Sequence, residues 1–398
     1  MITHHRRFKN QARAYSMAKH LMERGHDVTL MVIADCSRLG IVETDWDGVR
    51  TVETPDLLWG KLRSGWDLWN TFNRILYLHR DNRPYDLVHC FETRPATIYP
   101  VLHYLRRRQV PWITDWVDWW GRGGIIDELR PGWYRALFGG IETYYEEAFR
   151  ARADGLIVIS TALAKRAIGL GVQPERICHV PNGTWPELFS VPDSATCRRK
   201  VELGVTGPII GYSSLDTHFD LELMIQVLAQ VVRQYPDAHL LITGNPSKTI
   251  SELAQVYGVG QNLILTGFLP YEKLPWYLGC ADCFVMPFPD KIYNVGRWPT
   301  KVNDYMSVGR PTVSNPVGDI KTLFKQHRVG LLVEWDAVDF AQKIIYLIEH
   351  PEVACKLGEN ARWTAVTVYD WKILVQKLEA FYEQILGTDL SMPQRGKG

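Results

Sequence analysis

A chain of 398 residues, 46% hydrophobic and 22% charged, is too long for one ordinary core and suits two globular domains. Its formal net charge of +1 gives no support to a polyanion- or nucleic-acid-binding role, and no window approaches the roughly 20 apolar residues needed to span a bilayer. The seven cysteines (Cys36, Cys90, Cys178, Cys197, Cys280, Cys283, Cys355) are scattered and odd in number, which fits a reducing, cytoplasmic compartment rather than a disulfide scaffold. Cys280-Ala-Asp-Cys283 is formally a CxxC, but without a second pair it reads better as the start of a half-buried strand than as a redox or metal motif.

In chain order, Met1-Ile2-Thr3 offers only a stub of a first strand before the polar stretch His4 to Asn10, so the opening domain looks truncated there. A helix over Arg13–Glu23 stops at Arg24-Gly25-His26 and leads into the strand-like run Val28–Ile33. Asp86–His89, Trp112–Thr114 and Gly155–Ile159 are short apolar runs of the kind buried on both faces of a parallel sheet. A turn-rich stretch follows, with a hinge expected near 185–205. The alternation then restarts with Pro208–Gly211, a helix over Leu221–Gln234, Ala238–Thr243, Leu263–Thr266, Cys283–Met286 and Pro311–Ser314. This β-α alternation in each half predicts an α/β protein of two doubly wound, Rossmann-like domains. The expected division is 1–190, 191–375 and a C-terminal helix over 376–398 that crosses back to the first domain and frays from Gly387.

Ligands of such sheets bind beyond the carboxyl ends of the strands, where helix N-termini favour anions. Pro287 to Gly309 fits that place best. After the strand, Arg297-Trp-Pro-Thr-Lys301 enters a short helix, Lys301–Val308, with Gly309 as its stop. Two cations, free helix amides and the carboxylate of Asp304 suit a diphosphate beside a ribose. Pairing of Arg297 and Lys301 with surface carboxylates is the alternative.

Asp304-Tyr-Met-Ser-Val-Gly-Arg-Pro-Thr-Val313 resembles the signature of glycosyltransferases of family four, which have the GT-B architecture. Further stretches resemble the same family in order and spacing: Leu156–Leu163 with His179-Val-Pro-Asn-Gly183 and Phe189, Leu240–Gly244, Leu263–Phe268, Leu274–Tyr277, Gly330–Val333 and Leu357–Ala361 with Trp371. The resemblance implies two Rossmann-like domains facing each other across a cleft. It also implies transfer of a sugar from a nucleotide diphosphate donor with retention of configuration, without a required metal or other cofactor.

Carried over residue by residue, the family's second glutamate, which holds the donor ribose, falls on Asp304, and the first falls on Gly296, so that partner is absent. The usual Arg and Lys after the first strand of the second domain are also missing from Gly211–Asp220. The resemblance therefore assigns the phosphates to Arg297 and Lys301 with Ser213 and Ser214 as donors, the base to Gly267-Phe268, and Gly244-Asn245 to the same crevice; His218 reads as a surface histidine or a ligand. Where the family often has a histidine near the sugar, this chain has Trp112–Gly124, with Asp118, ahead of Asp115, expected to face the sugar. His89 and Glu92 are candidates for the acceptor side, His89 equally for the core.

The acceptor is expected to be a glycan, lipid-linked or a small molecule. Aromatics (Trp59, Trp66, Trp69, Phe72, Tyr77, Trp112, Trp116, Trp119, Trp120, Trp133, Tyr134) mix with Lys61, Arg63, Arg74, Arg80 and Arg106–Arg108 in the first half. That suits peripheral contact with the inner face of a membrane, sugar stacking or core packing. The rival to an enzyme is a catalytically silent relative serving as a binding or regulatory subunit; a GT-B epimerase or phosphorylase finds little support.

Overall fold

The computed structural model describes residues 1–6, 13–35, 39–57, 64–213, 221–245 and 249–387. Within them the chain forms two compact units, Met1–Pro181 joined by the segment from Trp371, and Asn182–Asp370. The chain thus passes between units at 181/182 and 370/371, not at 190/191 and 375/376. The stretch expected as a hinge belongs to the second unit and carries a short helix capped by Asp193, whose side chain accepts from the Thr196 amide.

The first unit runs β1 (Ile2–Arg6), α1 (Arg13–Glu23), β2 (Thr29–Ile33), β3 (Val42–Trp46), β4 (Val49–Thr54), α2 (Leu68–Arg80), β5 (Val88–Phe91), α3 (Pro95–Leu105), β6 (Trp112–Trp116), α4 (Ile125–Leu129), α5 (Gly132–Glu147), β7 (Gly155–Val158), α6 (Thr161–Gly169) and β8 (Ile177–His179). Its sheet has the order β3-β4-β2-β1-β5-β6-β7-β8, parallel except for β3. The expected stub is a five-residue strand in the middle of this sheet, with Ile2 opposite both Met31 and Cys90. Its polar sequence hides it from hydropathy, because a central strand is held by its two backbone ladders whatever its side chains. Ile2, Met31, Val52 and Cys90 from the strands pack with Ile98, Val101 and Phe149 into a core.

The second unit runs α7 (Ser194–Lys200), β9 (Ile209–Ser213), α8 (Leu221–Gln234), β10 (His239–Thr243), α9 (Thr249–Val256), β11 (Leu263–Leu265), α10 (Leu274–Gly279), β12 (Cys283–Met286), α11 (Ile292–Val295), α12 (Thr300–Ser307), β13 (Thr312–Ser314), α13 (Gly318–His327), β14 (Gly330–Leu332), α14 (Ala337–Glu349) and α15 (Pro351–Thr367). Its six strands are all parallel in the order β11-β10-β9-β12-β13-β14. Ile210, Ile242 and Val285 are wholly buried against Ile225 and Leu228 of α8 and Phe340 and Ile344 of α14. The strand order reverses between β9 and β12, so a crevice opens beyond Ser213 and Met286, where doubly wound sheets bind ligands.

The last helix, α16 (Trp371–Leu386), belongs to the first unit. There Glu379 accepts from Arg24 Nε at 2.6 Å, and the Tyr382 hydroxyl meets His89 Nδ1 at 2.7 Å. The expected frayed tail lies outside the described residues from 388 on. No described helix is long and apolar enough to cross a membrane.

Candidate functional site

The crevice of the second unit is built by the loop after β12. Asn294 is fully buried and donates to the Pro289 carbonyl at 2.8 Å, folding the loop back on itself before α12 begins. Trp298 Nε1 donates to Asn303 Oδ1 at 3.1 Å, and Asn303 Nδ2 donates to the carbonyls of Asn182 and Gly183 at 2.8 and 3.1 Å. The Pro181-Asn-Gly183 motif thus helps to orient α12. On the other side, Tyr305 stacks on Phe284 with ring centroids 3.8 Å apart, and its hydroxyl accepts from the Ser213 amide at 2.8 Å. These contacts bring the first turn of α12 to the carboxyl end of β9.

The charged groups on this frame are largely idle. Arg297 lies over the rings of Tyr293 and Phe288, at 5.3 and 5.7 Å, and its Nε is buried without a partner among the described residues. Lys301 sits over the Tyr212 ring at 4.2 Å and donates to its hydroxyl at 3.0 Å. Among the described residues no carboxylate pairs with either cation, so the surface-pairing alternative does not hold there. Asp304 lies one turn beyond Lys301 on α12. It retains some exposed surface, but its carboxyl sits in a recess where desolvation raises it from 3.8 to about 7. A desolvated carboxylate with no donor among the described residues is the state expected of a group that awaits hydroxyl donors.

The neighbouring strands supply a wall. Gly244 and Gly267 form an isolated antiparallel bridge, the Gly244 amide donating to the Gly267 carbonyl at 3.0 Å. Their φ angles of 106° and 68° are ones that side chains resist, which explains glycine at both. Beyond the bridge Phe268 is 66% exposed, an unusual state for a phenyl ring and one suited to stacking. Asn245 is exposed at the rim. Tyr271, overlooked from sequence, is half-buried beside Phe189; desolvation, and then the nearby charges of Asp304 and Glu187, push its hydroxyl upward. Ser214 and His218 lie outside the described residues.

The first unit treats its charges differently. Asp115 is fully enclosed on β6, accepting from Arg13 Nε at 2.9 Å with His89 at 3.6 Å. Burial acts to raise its carboxyl, but Arg13 and His89 outweigh that and hold it below 3.8. Both residues are therefore internal: Asp115 presents no surface to a sugar, and His89, 1% exposed, belongs to the core rather than to an acceptor face. Glu92 is also buried, at a φ of 61°, and accepts from the Val117 amide at 3.0 Å with Arg150 at 3.4 Å. Its role is to hold the loop after β6. Glu146 of α5 grips the same loop, accepting from the amides of Trp120 and Gly121 at 2.7 and 2.6 Å. Asp118 is half-buried on that doubly anchored loop, as are Val117, Trp119 and Trp120, and its charge supports the buried guanidinium of Arg94, which lies over the Trp120 ring at 5.3 Å.

A cavity of about 1030 Å³ lies elsewhere, along the residues that precede β9, β12 and β13. Its arginines are already engaged: Arg310 donates to the carbonyls of Ala281, Gly279 and Pro192, Arg362 to those of Pro186 and Ser307, and Arg198 pairs with Asp282 at 2.7 Å. Volume without an idle charge makes it a weaker candidate than the β9/β12 crevice. In the CxxC pair, burial pushes the Cys280 thiol up to about 12 and raises Cys283 as well, which suits strand-start packing and not a reactive thiolate.

The glycosyl transferase 4-like domain profile matches residues 11–183, and the glycosyl transferases group 1 profile matches residues 208–350. Among curated proteins, a GDP-mannose-dependent alpha-(1-6)-phosphatidylinositol monomannoside mannosyltransferase of Mycolicibacterium smegmatis is 25% identical over 201 residues, covering 49% of this chain and 53% of its own length. The chain spans about half the length of the curated relatives it matches in this way. Among solved structures, a sucrose-phosphate synthase from Thermosynechococcus elongatus superposes with a TM-score of 0.70 at 20% identity, over 93% of this chain and 92% of the other. HepE of Anabaena in complex with UDP-glucose does so at 0.67 and 13% identity, over 95% and 98%. At such identities the structural likeness speaks for the fold, and the two profiles speak for the family. The chain is a divergent member of the family-four glycosyltransferases, with their GT-B architecture.

Proposed function

We propose that the protein transfers a hexosyl group from a nucleoside diphosphate sugar to an acceptor hydroxyl with retention of configuration. The observation that carries this reading is the set Arg297, Lys301 and Asp304: two cations and a desolvated carboxylate, without ionic partners among the described residues, at the strand-order reversal of the second unit. Arg297, Lys301 and the first amides of α12 would receive the diphosphate, Asp304 the ribose hydroxyls, and Phe268 the base. In the reaction the anomeric carbon loses its bond to the diphosphate oxygen and gains one to the acceptor oxygen, on the same face. The acceptor proton passes to the leaving diphosphate. The cations stabilise the charge that develops there, so the reading requires no metal. Asp118, on its braced loop, is the residue of the first unit proposed to face the sugar. The acceptor is proposed to be a glycan or lipid-linked hydroxyl met at the inner face of a membrane, in the cytoplasm.

Relatives and structural neighbours named for GDP-mannose and UDP-glucose make GDP and UDP the nucleotides to test. Calorimetry should show one of them binding the wild type and losing on the order of 100-fold in affinity in Arg297→Ala/Lys301→Ala, from two charge-assisted contacts. Binding of neither nucleotide by the wild type would sink the proposal. The silent-subunit reading is favoured by Gly296 standing in place of the first glutamate and by the enclosure of Asp115. A donor-hydrolysis screen separates the two readings: nucleotide binding without turnover of any sugar nucleotide supports the silent one. Where turnover occurs, the anomeric signal of the product reports retention.

A further inference from the structure

Two helices of the first unit bury polar residues and expose apolar ones over much of their length, although Tyr77 and Leu78 of α2, Tyr145 of α5 and Ala148 just after it pack on the core. On α5 the inward positions are Gly139, Glu142, Thr143 and Glu146, while Trp133, Leu137, Phe138, Ile141 and Tyr144 are 42–66% exposed. On α2 the inward positions are Asn70, Thr71, Asn73 and Arg74, and Leu68, Trp69 and Phe72 are 38–73% exposed. The inward polar groups are largely matched, although Asn70 Oδ1 and one terminal nitrogen of Arg74 find no partner among the described residues. Asn70 Nδ2 donates to Thr54 Oγ1 at 2.9 Å, Arg74 to the Ala96 carbonyl at 2.8 Å, and Glu142 accepts from Tyr134 at 2.9 Å. A helix ordinarily turns such residues to water and its aromatics to the core.

The two faces are continuous. Trp66, just before α2, meets Tyr145 of α5 edge-on at 5.2 Å, and Tyr145 shares a 2.6 Å hydrogen bond with the exposed Tyr99 of α3. The eight large exposed apolar side chains of α2 and α5 thus lie on helices joined by these aromatic contacts, more than the scattered exposure normal for a soluble surface. Its charge is mainly basic, although the exposed Asp86, Asp127 and Glu128 lie in the adjoining segments. The exposed positions of α5 carry Arg135 and no carboxylate, since Glu142 and Glu146 point inward. Along α2 the outward face reads Trp69, Phe72 and then Arg80. At that end the exposed Arg106, Arg107 and Arg108 follow α3, with Arg107 donating to the His79 carbonyl at 2.9 Å. After burial, the charges of His79, Arg107 and Arg106 hold the His103 imidazole below its usual value, a sign of a positive local field.

We infer that the exposed face of α2, α3 and α5 lies in the interface of an anionic lipid bilayer, with its aromatics among the headgroups and its arginines on the lipid phosphates. Amphipathic surfaces bind membranes in this way, through apolar area plus basic charge. The structure also sorts the aromatics of this half of the chain: Trp112 and Trp116 are core, whereas Trp69 and Trp133 are available to lipid. The inference locates the membrane contact included in the proposed function but rests on the surface alone. Its test contains no nucleotide, so its failure and that of the donor-site reading are distinguishable.

Full-length protein is floated with phosphatidylcholine vesicles, with and without phosphatidylglycerol, at low and high salt. Binding to the anionic vesicles, weakened by salt, is expected. Trp133→Ser/Leu137→Ser/Ile141→Ser and Trp69→Ser/Phe72→Ser should each weaken it about tenfold or more. Arg106→Ser/Arg107→Ser/Arg108→Ser should remove the preference for phosphatidylglycerol. Because these side chains face solvent, circular dichroism melts should match the wild type, which separates lost binding from lost folding. Absence of wild-type binding to anionic vesicles at low salt overturns the inference. So does binding that none of the variants weakens, or a solution dimer that the apolar variants convert to monomer, since a second copy would then cover the face.

Discussion

The two units carry similar charged residues at the carboxyl ends of similar sheets and use them in opposite ways. In the first, Asp115, Glu92 and Glu146 are buried against Arg13, Arg150 and Arg166, and each brackets a loop or a neighbouring helix. In the second, Arg297, Lys301 and Asp304 are held in place by aromatic rings and asparagines instead of by one another. The difference teaches where to look for chemistry. A satisfied charge is already performing its task as structure, whereas one kept desolvated and unpaired carries a cost that only a ligand relieves.

The largest effect that could break this contrast belongs to Arg150. It is wholly buried, donating to the carbonyls of Glu146 and Asp115 at 2.9 and 3.0 Å and lying 4.8 Å from the Trp116 ring. Arg150→Ala should cost about 3–5 kcal/mol in urea unfolding, because it strands carbonyls and Glu92 in the interior. A loss below about 1 kcal/mol would show that these buried ions are not structural.

Asp115→Ala comes next, at about 2–3 kcal/mol, the worth of hydrogen bonds to a charged group. Its pH dependence has a definite sign. The folded carboxyl lies below 3.8, so the stabilisation is present above about pH 4 and disappears as pH falls through the folded value. Melts of wild type and variant should therefore converge in acid; a gap that stays constant down to pH 2 would contradict the ion pair.

Asp304→Asn should behave in the opposite sense. Its folded carboxyl is raised to about 7, so ionisation is unfavourable in the free protein; the cost is absent near pH 4, grows as pH rises, and is complete above 7. With its partial exposure discounted, the variant should gain on the order of 1 kcal/mol at pH 8 and nothing at pH 4. Nucleotide affinity should move against that gain, dropping about tenfold at pH 8, where the carboxylate would accept from the ribose. Wild-type affinity should itself weaken as pH falls through 7. A variant that lost stability at pH 8 would mean that Asp304 has an internal partner.

The smallest effect is that of Phe268→Ala. Loss of one stacking surface should weaken nucleotide binding a few-fold and leave the melting temperature unchanged, as expected of an exposed ring. A melting change with unaltered affinity would make Phe268 structural.

Much of the second unit was legible in the sequence. Its strands are short apolar runs, and its candidate site segment joins two cations, a proline and an acid within Arg297 to Asp304. The first unit was legible in outline only. β1 is too polar to announce itself, since its place is secured by ladders to β2 and β5. The edge strand β3, exposed at Val42, Glu43 and Asp45, has no apolar run to mark it. Asp115 and Asp118 stand three residues apart and look interchangeable in a string, yet one is sealed inside by Arg13, from a helix about a hundred residues away, and the other rides on a surface loop.

Periodicity and turn chemistry in the sequence alone determined the α/β class, the presence of two domains and the segment in which Arg297, Lys301 and Asp304 gather, because those signals are local along the chain. Tertiary structure decided which charges are spent and which are idle, and that α2 and α5 turn their polar residues inward. Those outcomes depend on partners distant in sequence: Arg13 for Asp115, Thr54 for Asn70, and the loop from Trp120 for Glu146.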